Sequence, residues 1–273
     1  MPSELDLDAL AQEMKAAQDS VQQIEPFSNR IQGFDLSSAY QVASRIHHAR
    51  TSEGAIPIGR KIGFTNPEMW SIYGVREPIW AYVYDTTVIQ LESLQTKCPI
   101  IGFAEPKLEP EIIFHFCSDL PDNADLADVV NAIDWVAHGF EIVQSHFPGW
   151  RFQAPDTVAD SGLHGKLLMG PSIPLEKLGS NPVEALESIS LTLLRGDKLI
   201  ETGIGSNVLG NPFAAIVHLV SVLGKQLDHA PLRAGEIVTT GTVTTAQSVK
   251  AGETWRSEIS GADLAGLTVE FAH

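Results

Sequence analysis

The chain is poor in cysteine and in positive charge. Its 273 residues include two cysteines, Cys98 and Cys117, too few for a disulfide framework or a thiolate zinc site. Lys and Arg total 18 against 34 Asp and Glu, which gives a formal net charge of -16. Such a surface repels nucleic-acid phosphates and anionic lipid headgroups. The composition therefore predicts no nucleic-acid partner and no membrane partner.

Long apolar runs and the pattern of a secretion signal are also lacking. A membrane-spanning helix needs about 20 apolar residues, whereas the longest apolar stretch, 214–223, is interrupted by His218 and Ser221. The first ten residues are acidic and lack the basic segment and apolar core of a secretion signal. We therefore predict a cytoplasmic protein.

Several common enzyme motifs are missing as well. The sequence contains no HExxH metal motif, no GxSxG nucleophile elbow and no Walker A loop. The glycines at 203, 205 and 210 have the wrong spacing for a Rossmann GxGxxG. None of these motifs therefore identifies the chemistry of the chain.

The remaining composition is that of a globular protein, with 44% hydrophobic residues, 22 glycines and 16 prolines. Residues 1–95 favour helices, because apolar residues recur at spacings of three and four over 7–21 and 39–46. Residues 96–273 favour short strands punctuated by Gly, Pro, Asn and Asp, with helices over 126–135 and 212–225. The sequence predicts an α+β fold in which a helix-rich segment, 1–95, packs on a β-rich catalytic core, 96–273, as one unit.

Three glutamates lie in apolar, strand-like segments. Glu109 and Glu111 are two residues apart in LEPEIIFHF, so their side chains leave the same face of a strand. Glu141 lies in a second apolar run, GFEIV. Buried carboxylates repel each other unless a cation or proton lies between them. Without nearby cysteine, they favour a hard cation, Mg2+ or Mn2+. Alternatively, Glu109 faces solvent and Glu141 pairs with a lysine.

Two further segments carry candidate polar groups. Lys61 lies between Ile58 and Ile62 in GRKIGFT, which is consistent with a desolvated proton donor or carboxylate anchor, or with a lysine on the surface of a strand. The strand ending in Thr-Gly-Thr at 240–242 offers N–H groups and hydroxyls for a substrate carboxylate, or is an ordinary strand and turn. His218 is interpreted as a core histidine, whereas His146 and His164 lie near the suspected site.

Taken in order, six motifs resemble one family. They are GRKIGFT, LEPEIIF, GFEIVQS, DTVADSGLHG, GNPFAAIVHLVSVL and AGEIVTTGTV, within residues 38–260. This set resembles the 2-keto-4-pentenoate hydratase and 4-oxalocrotonate decarboxylase group of the fumarylacetoacetate hydrolase superfamily. The resemblance implies a mixed β-roll core with flanking helices, a helix-rich N-terminal part and a homo-oligomer.

The resemblance also implies a site. Its metal ligands fall on Glu109, Glu111 and Glu141, and the proton-transferring or substrate-anchoring lysine falls on Lys61. The threonine of its late Thr-Gly element falls on Thr242, beside Gly241. We add as candidates Asp160 and His164, to orient water, and Ser161, to bind substrate. The implied cofactor is Mg2+ or Mn2+.

The implied activity is hydration of a 2-hydroxy-2,4-dienoate in the catabolism of aromatic compounds. A decarboxylase or a C–C hydrolase acting on a related 2-oxo acid is the alternative, and a binding protein that keeps the scaffold is a remote one. The chain departs from the family pattern at Ala43, Gln144 and Leu163. These departures concern the substrate side of the site, and they leave the exact substrate open.

Overall fold

The computed structural model describes residues 5–67, 70–73, 75–226 and 229–273, and within them two β-sheets carry flanking helices. The larger sheet has the order β2–β1–β10–β5–β6–β7–β3, with β11 paired to β5. Its strands are β1 (Pro57–Gly63), β2 (Ile79–Tyr84), β3 (Val88–Gln90), β5 (Lys107–Phe116), β6 (Ile133–Val143), β7 (His164–Pro174), β10 (Ile237–Thr242) and β11 (Gln247–Ser248).

The smaller sheet has the order β4–β13–β12–β8–β9. Its strands are β4 (Gln95–Pro99), β8 (Ser190–Arg195), β9 (Lys198–Ile204), β12 (Thr254–Ser260) and β13 (Thr268–Ala272). The predicted α+β class with a mixed β core and flanking helices is confirmed. The first 95 residues contribute β1, β2 and β3 to the larger sheet as well as helices.

The two long N-terminal helices follow from caps and apolar periodicity. Helix α1 (Leu7–Ser20) begins after Asp6, whose carboxylate accepts a hydrogen bond from the Ala9 N–H, and α3 (Leu36–Ser52) begins after Asp35 in the same way. The other helices are α2 (Phe27–Arg30), α4 (Trp70–Tyr73), α5 (Leu126–Asn131), α6 (Ala154–Ala159), α7 (Pro182–Ser188) and α8 (Pro212–Leu223).

The helix predicted over 126–135 is wrong in its second half. Helix α5 ends at Asn131, and β6 begins at Ile133, where Trp135 pairs with His115 of β5. Strand β6 is buried along most of its length, so its apolar residues follow no period of two. A strand buried on both faces cannot be distinguished from a helix by periodicity alone.

Helix α8 is the most apolar helix. The stretch Gly205–Leu223 is the one helical segment of the described chain that is long and apolar enough to cross a membrane, and half of it is buried. Phe213, Ile216 and Leu219 of α8 lie in the main hydrophobic core. This burial is that of a core helix.

The strand order explains how the candidate residues meet. Adjacent strands β1, β10, β5 and β6 pair Lys61 with Thr239, Thr242 with Glu111, and Glu109 with Glu141. The paired residues are between 32 and 178 positions apart along the chain, yet they occupy neighbouring places in one sheet. The sheet therefore concentrates carboxylates and a lysine at one location.

Candidate metal centre and active site

Three carboxylates meet where β5 and β6 pair. Glu109 and Glu111 leave the same face of β5, and Glu141 lies opposite Glu109 on β6. Glu111 and Glu141 are fully buried. One oxygen from each of the three side chains lies within 4.8 Å of the other two. Such a spacing is suited to three ligands of a single cation.

The electrostatics of the cluster require a compensating charge. Burial, reinforced by the charge of Glu141, raises the pKa of Glu111 well above its usual value, and burial raises the pKa of Glu109 to about 7. Burial acts in the same direction on Glu141, but Lys61 and His164 outweigh it and lower the pKa of that carboxyl to about 2. Three bare anions are therefore unfavourable here without a cation or protons.

The donor set fits a hard divalent cation. Glu111 Oε2 accepts a hydrogen bond from the Gly241 N–H at 3.0 Å, whereas its Oε1 is buried and accepts none from the described residues. A buried carboxylate oxygen without a donor is costly, and a metal ion would satisfy it. Carboxylate oxygens are ligands that Mg2+ and Mn2+ prefer.

Lys61 is buried beside this cluster. Its side chain is 3% exposed, and its Nζ lies 3.0 Å from Glu141 Oε2 and donates a hydrogen bond to the Gly162 carbonyl at 2.9 Å. Burial alone lowers the pKa of the ammonium, but the three nearby carboxylates outweigh it and raise the pKa. The interpretation as a surface lysine is therefore wrong, and Lys61 is a buried lysine whose Nζ donates to the Gly162 carbonyl.

Lys61 and Glu109 line a cavity of about 40 Å3. Thr65, Asn66 and Thr242 add polar groups to its wall, and the buried Thr65 Oγ1 has no hydrogen-bond partner among the described residues. The apolar side chains of the wall are Phe64, Val143, Trp150, Leu163 and Ala246. The lining of the cavity therefore combines charged and polar groups with apolar side chains, as the lining of small-molecule sites does.

The Thr-Gly-Thr segment forms part of this site. Gly241 has φ +90°, and a Cβ on it would meet Thr65 Oγ1 at 2.0 Å, so both the backbone conformation and the close approach require glycine. Its N–H holds Glu111, and the neighbouring Thr242 lines the cavity. The structure thus brings Gly241 and Thr242 to the carboxylates, as the sequence pattern indicated.

His164 lies behind the carboxylates. Its Nδ1 lies 2.7 Å from Glu141 Oε1, and its Nε2 lies 2.9 Å from Thr87 Oγ1. The ring therefore orients Glu141, as histidine–carboxylate pairs do around metal ligands. His164 is not among the described residues that line the cavity. Its contact is with Glu141, which it supports.

Asp160 and Ser161 lie in a different network. Asp160 Oδ1 lies 2.8 Å from His146 Nδ1, and Gln18 Nε2 donates to both Asp160 Oδ1 and Ser161 Oγ. Neither residue belongs to the described wall of the cavity. The structure brings Lys61, His164, Gly241 and Thr242 around the three carboxylates and sets these two residues apart.

Several residues that line the cavity were not predicted from the sequence. Thr65 and Asn66 come two and three residues after Gly63, where β1 ends, and that position after a buried strand is the signal available for them. Val143 lies in the GFEIVQS motif, but like Trp150 and Ala246 it has no ionisable or metal-binding group. They become recognisable once the strands and loops are assembled.

Comparison with known proteins gives consistent relatives. Residues 75–270 match the family model described as fumarylacetoacetate (FAA) hydrolase C-terminal. The chain is 31% identical over 255 residues to a 2-keto-4-pentenoate hydratase of Paraburkholderia xenovorans, covering 92% of this chain and 90% of that protein. It is 26% identical to a 2-hydroxyhexa-2,4-dienoate hydratase of Comamonas testosteroni, with coverage of 93% and 94%.

A solved structure shares the fold. The 4-oxalocrotonate decarboxylase from Pseudomonas putida G7, complexed with magnesium and adipate, superposes with a TM-score of 0.87 at 24% identity, covering 97% of both chains. A second structure of that decarboxylase, complexed with calcium and acetate, has a TM-score of 0.85. The mixed β-roll predicted for the core is the fold of these neighbours.

Proposed function

The chain belongs to the fumarylacetoacetate hydrolase family, and on that premise we propose that it is a divalent-metal-dependent hydratase of aromatic catabolism. Its substrate is a 2-hydroxy-2,4-dienoate, and its product is a 4-hydroxy-2-oxo acid. The observation that carries the proposal is the three-carboxylate cluster beside a buried lysine. That cluster occurs in a chain whose relatives include proteins named 2-hydroxyhexa-2,4-dienoate hydratase and 2-hydroxypent-2,4-dienoate hydratase.

Glu109, Glu111 and Glu141 would hold the cation, for which we propose Mg2+ or Mn2+. When bound, it would supply Lewis acidity that stabilises negative charge developing on the substrate. Gly241 fixes Glu111 through its N–H, and His164 fixes Glu141. Both supports limit the movement of ligand oxygens, which improves the geometry of the site.

Lys61 serves as the proton-transfer group of the site. An ammonium has three N–H donors; one is bonded to the Gly162 carbonyl, Glu141 lies beside it, and at least one remains for the cavity. The overall reaction adds H and OH of one water molecule across a C=C bond after ketonisation. Thr65 and Thr242 place hydroxyls where they can hold substrate oxygens, and the apolar wall restricts access of further water.

The activity is tested by following the ultraviolet absorbance of 2-hydroxypenta-2,4-dienoate with Mg2+ or Mn2+. We expect loss of absorbance with formation of the 4-hydroxy-2-oxo acid, and no loss after EDTA treatment. A parallel assay with 4-oxalocrotonate detects CO2, because the fold neighbour is a decarboxylase. Release of CO2 without hydration of the dienoate would mean that the protein is a decarboxylase and not a hydratase. No metal-dependent reaction with either acid would favour a binding protein.

We also expect a homo-oligomer, at least a dimer with twofold symmetry. Edge strand β9 presents Leu199 and Ile204, which are 59% and 47% exposed in the single chain. Light scattering at micromolar concentration should give at least twice the 29.6 kDa of one chain. A monomer mass under these conditions would contradict the expectation.

We propose a cytoplasmic location. Both cysteines, buried Cys98 and exposed Cys117, are free thiols, and an exposed free thiol suits a reducing compartment. The proposed partners are small 2-oxo and 2-hydroxydienoic acids, whose carboxylates match the buried ammonium of Lys61.

A further inference from the structure

A strained turn, Ser161–Leu163, holds the ammonium of Lys61. All three residues have positive φ, at 51°, 64° and 64°, and two of them are not glycine. Such conformations are unfavourable for residues with a side chain, and they persist where the surroundings enforce them. The turn presents the Gly162 carbonyl to Lys61 Nζ at 2.9 Å. The position of the ammonium therefore depends on what holds the turn.

Gln18, near the end of α1, holds the turn from outside the cavity. Its Nε2 donates to Asp160 Oδ1 and to Ser161 Oγ, both at 3.1 Å, and its Oε1 accepts from Arg50 Nη2 of α3 at 2.7 Å. Both the nitrogen and the oxygen of the side-chain amide are thus hydrogen-bonded. This side chain connects the two N-terminal helices to a turn more than 140 residues further along the chain.

Gln18 is not required to hold the helices to each other. Arg45 of α3 pairs with Asp8 of α1, and Lys15 of α1 pairs with Glu53, which follows α3. The distinctive contacts of Gln18 are those with Asp160 and Ser161 at the turn. Through these hydrogen bonds the strained turn is attached to α1 and α3. Outer hydrogen-bond partners orient the ligands of metal sites in the same way.

We propose that Gln18 is a positioning residue that sets the ammonium of Lys61 through the turn Ser161–Leu163. The catalytic consequence rests on the proposed function, whereas the effect on Lys61 itself does not. The proposal also gives Asp160 and Ser161 a role, since they accept the two hydrogen bonds of Gln18 and neither is among the described residues that line the cavity.

The test compares Gln18→Leu and Gln18→Glu with Arg45→Ala. Leucine removes both donors at similar size, and glutamate keeps an acceptor for Arg50 but turns a carboxylate toward Asp160. Arg45→Ala breaks an ion pair between the same two helices without touching the turn. The direct readout is the side-chain ammonium signal of Lys61 in 15N-lysine-labelled protein, assigned with Lys61→Met, together with hydrogen exchange of the Leu163 amide.

We expect both Gln18 variants to shift or broaden the Lys61 signal and to accelerate exchange at Leu163, with Arg45→Ala unchanged in both. Turnover of 2-hydroxypenta-2,4-dienoate should fall about tenfold or more in the Gln18 variants at unchanged Mg2+ affinity, the scale on which supporting residues act. An unchanged Lys61 signal, or the same changes in Arg45→Ala, would overturn the proposal. If the wild type does not hydrate dienoates but the signal responds as expected, the positioning role stands and the proposed reaction fails.

Discussion

In the Glu111→Gln variant, Mg2+ affinity should fall more than about 100-fold, because substitutions that merely support a metal ligand already cost 10–100-fold. Turnover of the dienoate should fall at least as far. The variant should still fold, since a glutamine oxygen can accept the hydrogen bond that the Gly241 N–H donates to Glu111. Calorimetric titration with Mg2+ and the ultraviolet assay measure the two effects.

The same substitution should stabilise the protein when metal is absent. The pKa of Glu111 in the folded chain is raised well above the ordinary 4.5, and that of Glu109 is raised to about 7. The folded state thus binds more protons than the unfolded state above pH 4.5, so the stability of the metal-free wild type falls as pH rises toward 7 and beyond. Glu111→Gln should weaken this dependence in urea unfolding measurements.

Asp156→Asn provides the matched control. Asp156 is also a fully buried carboxylate, but it accepts hydrogen bonds from the N–H groups of Ser28 and Gln153. The amide replaces an acceptor by a donor, so this variant should lose stability and keep its Mg2+ affinity. If Glu111→Gln binds Mg2+ as the wild type does, the metal site is misplaced.

The carboxylate pair on β5 illustrates what one strand reveals by itself. Glu109 and Glu111 share a face because side chains alternate along a strand, and this holds whichever partner strand lies beside them. The place of Glu141 opposite Glu109 depends on the pairing of β5 with β6. Periodicity carries no information on that register, and the family resemblance indicated it instead.

The burial of Lys61 and the conformation of the turn at 161–163 could not be predicted from the sequence. The flanking residues of Lys61 were consistent with either a buried or an exposed lysine, and the outcome depends on its neighbours in the sheet and on the Gly162 carbonyl. Positive φ at Ser161 and Leu163 has no local signal, since neither residue is a preferred type for that conformation. The boundary between α5 and β6 could not be predicted for a related reason. A strand buried on both faces shows no period of two in its apolar residues.

In the Lys61→Met variant, turnover should fall by about 10²–10⁴-fold, the contribution of a positioned proton-transfer group. Methionine is close to lysine in length and has no charge, so it fills the space between the carboxylates and Gly162 but cannot donate a proton. Mg2+ affinity should be retained or increased, because removal of a neighbouring positive charge favours a cation. This separates Lys61 from the ligands, whose substitution reduces both quantities.

Lys61→Arg should restore little of the activity. The stem of Lys61 is closely packed, since a Cβ on Gly162 would lie 3.1 Å from Lys61 Cδ, and a guanidinium is larger and does not release its proton. Lys97→Met is the control, because Lys97 pairs with Glu270 on the surface and should be replaceable without loss of turnover. Turnover of Lys61→Met at the wild-type rate would mean that the buried ammonium balances Glu141 electrostatically and takes no part in the reaction.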